Sequence, residues 1–297
     1  MNITINYHPL SGPMSDGMKK INGLHDQHTA DGAGGPPPLP EKLPPEIPSG
    51  ISVRESAVAG VPCLAVDAGG SKPNAFLYIH GGGFMFDSAK EGLHILIRAA
   101  ELYHVDGFSV DYTLMPNAFY PTQLEECAAV YQQLIADGYK NIVVSGFSAG
   151  ANLALALGFY CMQHKLPLPK GIAAISPPLD FTGFIKPETP DYLSGDNGLG
   201  AVYANGADLH DPCISSFFAD YNGYPNLLLV AGTGESLITS CKCLTGRLLR
   251  EKTGCQVTLS IWESMKHGFV LDSCFYPEAE PARDYVLQTM YQWLPQN

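Results

Sequence analysis

The chain is poor in positive charge, in long apolar runs and in paired cysteines, and each shortage excludes something. Among 297 residues, 17 Lys and Arg stand against 29 Asp and Glu, a formal net charge of -12. Phosphate backbones are held by clustered Lys and Arg, so this balance excludes a nucleic-acid partner. No segment has the roughly 18 consecutive apolar residues that a spanning helix needs, and residues 1–24 lack a basic stretch followed by an apolar run. The expectation is a cytoplasmic protein without a membrane span. Of eight cysteines only Cys241 and Cys243 are close together, so neither zinc-type CxxC spacing nor a disulfide framework is present. Reduced, buried thiols and no metal are expected. Charged residues make up only 15% of the chain, while 45% hydrophobic content is enough for one large core.

Residues 32–50 are dense in Pro and Gly, a composition that resists helix and central strand alike. Residues 1–50 therefore read as an N-terminal arm, part of a cap, ahead of a catalytic domain at 51–297. From Ile51 onward short apolar runs alternate with helical patterns, as in a mostly parallel sheet covered on both faces. Strands are expected near 51–56, 61–66, 75–79, 108–111, 142–145, 171–175, 227–231 and 257–262, the first two as a hairpin. Helical periodicity marks 91–103, 121–136, 149–164, 237–252 and 281–293, with Pro121 and Pro281 suited to a first turn. The fold class is α/β with eight strands. Residues 181–224, rich in Gly, Pro, Asp and aromatics, are too long for a plain connection and read as a cap insertion.

Three loops at strand ends carry chemistry. Gly146-Phe147-Ser148-Ala149-Gly150 stands between a strand and a helix, the context that G-x-S-x-G requires. The tight turn exposes the Ser oxygen, and the helix N-terminus lies under developing negative charge. His80-Gly81-Gly82-Gly83-Phe84 follows the strand at 75–79 and offers bare N–H groups. A phosphate cradle would need a following Lys-Ser or Lys-Thr, which is missing. The N–H groups of Gly82, Gly83 and Ala149 are thus assigned to an oxyanion hole, with His80 shaping the loop. His267, in Met265-Lys266-His267-Gly268-Phe269, is the one His placed after the last strand and followed by Gly, and it is assigned as the base that serine needs. Glu235 lies between nucleophile and base in chain order and is the preferred acid over Asp272. Gly232-x-Gly234 fails as a dinucleotide loop because Leu237 occupies the third glycine position.

With these pieces placed, the sequence from about His80 to Phe269 resembles the hormone-sensitive-lipase-like branch of the alpha/beta-hydrolases. The resemblance rests on His80-Gly81-Gly82-Gly83-Phe84, Asp111-Tyr112-x-Leu114-x-Pro116, Gly146-x-Ser148-Ala149-Gly150, Asp211-Pro212 and His267-Gly268-Phe269. It implies an eight-stranded sheet, a cap built from the N-terminal arm and the insertion, no cofactor, and a homodimer through the last strand at 256–262. The chain departs from the pattern at Thr113, where Arg is usual, at Phe147, where an acid often precedes the serine, at Ala151, where Gly is frequent, and at Glu235, where Asp is usual.

The expected activity is hydrolysis of small, short-acyl carboxylic esters by Ser148, His267 and Glu235 through an acyl-enzyme. Phe84, Phe147, Tyr112 and Phe217 are expected to line the substrate pocket. The same machinery suits deacetylation of sugars, or an amidase or lactonase. A non-catalytic small-molecule receptor is the rival outside enzymes, and such proteins typically lose the serine or the histidine.

Overall fold

The computed structural model describes residues 2–32, 37–69, 73–188, 191–194 and 198–295. Its strands are β1 (Ile3–His8), β2 (Ser52–Val58), β3 (Val61–Asp67), β4 (Asn74–Ile79), β5 (Asp106–Val110), β6 (Asn141–Phe147), β7 (Gly171–Ile175), β8 (Asn226–Gly232) and β9 (Val257–Trp262). Its helices are α1 (Asp16–Ala30), α2 (Leu93–Tyr103), α3 (Thr122–Ala136), α4 (Ala149–Gln163), α5 (Leu199–Ala204), α6 (Ile238–Glu251) and α7 (Glu280–Gln292). The strands form one sheet in the order β1-β9-β8-β7-β6-β4-β5-β3-β2. Only β2 with β3 and β3 with β5 pair antiparallel.

Because successive side chains in a strand point to opposite faces, the central strands feed two cores. Leu77, Ile79, Val144, Ala174 and Leu229 pack with residues of α3, α4 and α6. Their neighbours Phe76, Tyr78, Val143, Ala173 and Leu228 pack with α1, α2 and α7. Burial on both faces explains why these strands read as unbroken apolar runs. Twelve of the 15 residues of α4 are buried, so the helix that follows Ser148 is apolar all round. β5 and β6 lie on opposite sides of β4, so the winding of the chain reverses there. A crevice opens at the carboxyl ends of the strands at such a reversal, where the glycine loop after β4 and the serine turn after β6 both lie.

Two expectations are corrected. Among the described residues the sheet has nine strands rather than eight, because the N-terminal arm contributes one. Its first residues form β1, which pairs parallel with β9 from Ile3↔Val257 to His8↔Trp262. The last strand is therefore interior, and the edge expected at 256–262 for a dimer is covered. α1 follows, capped by the Ser15 hydroxyl accepting from Met18 N–H. Residues 37–48 do form an extended stretch without regular structure, while Gly34, Gly35 and Pro36 lie outside the described residues. The insertion at 181–224 contains α5, with 189–190 and 195–197 outside the described residues. All eight cysteines are free, six of them buried. Among the described residues no helix is long and apolar enough to cross a membrane.

Candidate active site

Ser148 sits at φ 51°, ψ -119°, a left-handed conformation that a non-glycine residue adopts at a cost of order 1–3 kcal/mol. Its N–H donates to the Ile175 carbonyl at 2.9 Å, which fixes the turn. The neighbouring glycines are required by space: a Cβ on Gly146 would lie 2.3 Å from the Gly150 carbonyl oxygen, and one on Gly150 would lie 2.1 Å from that of Ile79. The result is an elbow that holds the hydroxyl at the N-terminus of α4.

The imidazole of His267 meets that hydroxyl, with Nε2 3.0 Å from Ser148 Oγ and Nδ1 2.8 Å from Glu235 Oε2. The carboxylate can only accept from Nδ1–H, which leaves Nε2 free to accept from the serine. The other oxygen of Glu235 accepts from Gly232 N–H at 2.7 Å and from the Ser176 hydroxyl at 2.9 Å. Glu235 is fully buried and His267 is 7% exposed, so the chain of hydrogen bonds lies in low dielectric. The two loops are also knitted together: Gly234 N–H donates to the Met265 carbonyl, and Ser264 N–H to the Thr233 hydroxyl. Asp272, the weaker candidate acid, is buried elsewhere in an ion pair with Lys42 at 3.1 Å.

Gly82 and Gly83 have φ of +84° and +59°, and a Cβ on Gly82 would strike the Phe86 carbonyl. The Gly82 carbonyl accepts from Met85 and Phe86 N–H, closing the loop. Among the described residues the N–H groups of Gly82, Gly83 and Ala149 donate to no protein acceptor. His80 is fully buried and stacked on Tyr112 with centroids 4.2 Å apart. Burial holds its pKa below the ordinary histidine value, in keeping with a structural rather than proton-carrying part.

The four expected pocket residues separate. Phe147 is at the site, its ring 4.8 Å from that of His267 and against Gly81 and Gly268. Tyr112 is instead buried beneath the glycine loop, its hydroxyl 3.1 and 3.0 Å from the carbonyl oxygens of His80 and Gly81. Phe84 is fully buried and stacked on Tyr203 at 3.7 Å. Phe217 lines a separate groove of about 540 Å³ with Phe184, Lys242 and Arg250, a groove whose lining includes no member of the triad. Aromatic residues near a motif in sequence went into the core because burying their large apolar area is the stronger driving force. Sequence reasoning missed Ser176, although its place directly after β7 at the carboxyl edge of the sheet was legible. Tyr192, one of the aromatics that mark the insertion at 181–224, stands edge-on to His267 with ring centroids 6.2 Å apart.

Comparison with known proteins agrees with this architecture. The model of the alpha/beta hydrolase fold family matches residues 76–271, which include all three members of the hydrogen-bonded triad. The chain belongs to this family. As an alpha/beta hydrolase it is similar to an esterase of Acinetobacter venetianus, 29% identical over 81% of this chain and 82% of that one. Mouse hormone-sensitive lipase is 34% identical over a shorter stretch, 34% of this chain and 14% of its own length. Among solved structures, an esterase/lipase from an uncultured bacterium superimposes with a TM-score of 0.80 at 26% identity, covering 94% of this chain and 99% of that one. The match to the hydrolase family model begins at residue 76, after β1 and α1.

Proposed function

We propose that this alpha/beta hydrolase is a serine carboxylesterase acting on small, short-acyl esters, with Ser148 as nucleophile, His267 as base and Glu235 as acid. The observation that carries the reading is the unbroken hydrogen-bond chain from Ser148 Oγ through His267 to Glu235, at 3.0 and 2.8 Å. His267 Nε2 takes the Oγ proton as the oxygen attacks the ester carbonyl, and Glu235 fixes the tautomer and stabilises the imidazolium that forms. The N–H groups of Gly82, Gly83 and Ala149 receive the oxyanion. His267 then hands its proton to the leaving alkoxide, which departs as the alcohol and leaves Ser148 acylated. Water repeats the cycle, releasing the carboxylic acid and restoring the serine. The esterase relatives support this reaction class.

The size preference rests on crowding. Phe147 and Tyr192 both stand against His267, and a Cβ on Gly83 would lie 3.6 Å from the Leu199 side chain. Tyr192 is in turn flanked by His25 and His28 of α1, at centroid distances of 5.9 and 5.4 Å. This contact supports reading α1 and the insertion at 181–224 together as the cap.

The test is fluorophosphonate labelling with peptide mapping, alongside turnover of p-nitrophenyl esters from acetate to palmitate. Label on Ser148, loss of turnover in Ser148→Ala and rates that fall beyond butyrate are expected. Label on another serine overturns the site, and palmitate cleaved as fast as acetate overturns the size preference.

A further inference from the structure

The glycine loop is held from both sides, by two groups that are not members of the triad. Tyr112 grips the carbonyl side, with its hydroxyl shared between the His80 and Gly81 oxygens. On the amide side, Gly81 N–H donates to Glu91 Oε1 at 2.9 Å, and the same oxygen accepts from the Tyr78 hydroxyl at 3.0 Å. Glu91 lies in the single 3-10 turn Ala89–Gly92 that precedes α2, and a Cβ on Gly92 would lie 2.5 Å from the Ser109 hydroxyl and from Tyr78. The turn is thus pressed against the sheet, and its carboxyl has little freedom to leave the loop.

We infer that Glu91 is a positioning residue for the oxyanion hole: by anchoring the Gly81 amide it fixes the plane of the peptides that follow, and with them the aim of the Gly82 and Gly83 N–H groups. This rests on the hydrolase reading above. A misplacement of such donors by even 1 Å is costly, since they act by being fixed before charge develops.

The charged and titratable surroundings of the carboxyl make the idea testable. It faces Asp87 from the glycine loop's own exit, Lys42 from the extended stretch, Tyr78 from β4 and Tyr112 from beyond β5. Burial first, and Asp87 second, push the Glu91 carboxyl up to about 8, against the opposing pull of Gly81 N–H, Lys42 and Tyr78. At neutral pH Glu91 is therefore mainly the uncharged acid, still accepting through Oε1. Above that range it becomes an anion behind the loop that must stabilise another anion, and like charges oppose one another at low dielectric.

The experiment compares wild type, Glu91→Ala, Glu91→Gln and Ser148→Ala on p-nitrophenyl acetate between pH 6 and 9.5. Glu91→Ala should lose roughly ten- to hundredfold in kcat, less than loss of an oxyanion donor itself, with KM changed by less than about twofold. Glu91→Gln, which keeps an acceptor for both donors, should stay within about threefold of wild-type kcat at pH 7 and lack a wild-type decline in kcat near pH 8. Turnover of Glu91→Ala equal to wild type overturns the inference. If that variant does not fold, the glutamine variant decides: an alkaline decline identical to wild type overturns it, and its loss supports it. Ser148→Ala reports separately, because undiminished turnover there sinks the hydrolase reading, whereas an inert Ser148→Ala beside unaffected Glu91 variants sinks only this one.

Discussion

Ser176 and Glu235, 59 residues apart, meet in a buried 2.9 Å hydrogen bond in which the serine hydroxyl donates to Glu235 Oε1. Glu235 Oε2 is the atom bonded to His267 Nδ1, so the serine acts on the imidazole through the carboxylate. A hydrogen bond to a charged group is worth about 1.5–3 kcal/mol, or roughly ten- to hundredfold in rate if all of it reaches the transition state. Gly232 N–H continues to hold the same oxygen. Ser176→Ala should accordingly lower kcat about tenfold with KM nearly unchanged. Steady-state kinetics with a short-acyl ester give the answer, and an unchanged kcat removes Ser176 from the site.

Gly150→Ala should be disabling for steric reasons alone. Its Cβ would fall 2.1 and 2.2 Å from the carbonyl oxygens of Ile79 and His80, so α4 must withdraw from β4. The expected loss is about 3 kcal/mol or more of stability, with activity lost as well. Gly23, in α1, has open space around it, and Gly23→Ala should instead stabilise by about 0.5–1 kcal/mol. Thermal melts of the pair test the geometry: similar shifts in the two variants contradict it.

The partly buried carboxyl of Glu91 also predicts how folding stability changes with pH. Its pKa rises from 4.5 to about 8 on folding, so between those values the folded chain holds a proton that the unfolded chain has released. Stability contributed by this group is full below the unfolded value and is lost as pH rises through the folded one, by an amount on the order of a few kcal/mol. Glu91→Gln cannot ionise. Its melting temperature relative to wild type should therefore rise between pH 6 and pH 9. A constant difference across that range contradicts the shift.

Removing residues 2–8 strips β1 from the sheet and turns β9 into an edge. β9 is the run Val-Thr-Leu-Ser-Ile-Trp, with no charge and no proline to discourage pairing. Light scattering should show self-association of the truncated chain at concentrations where the full chain does not associate. Equal association of the two chains means that β1 does not protect this edge.

The sequence alone determined the alternation of strands and helices from residue 51 onward and the three loops that meet at Ser148. Those features are local: G-x-S-x-G needs only a tight turn between one strand and one helix, and a loop of glycines owes its shape to its own backbone freedom. It also put Glu235 ahead of Asp272 by chain order. What remained hidden depends on partners distant in the chain. Ile-Thr-Ile-Asn-Tyr-His becomes a strand because β9 offers a free ladder 254 residues away, and its alternating pattern is too short to announce that. Phe84 and Tyr112 were legible as large rings near the site, but only packing decided that one stacks on Tyr203 and the other beneath His80. Glu91 and Ser176 are ordinary surface types in sequence; tertiary contact buried the Ser176 hydroxyl, partly buried Glu91, and aimed the two groups at the loops of the proposed site.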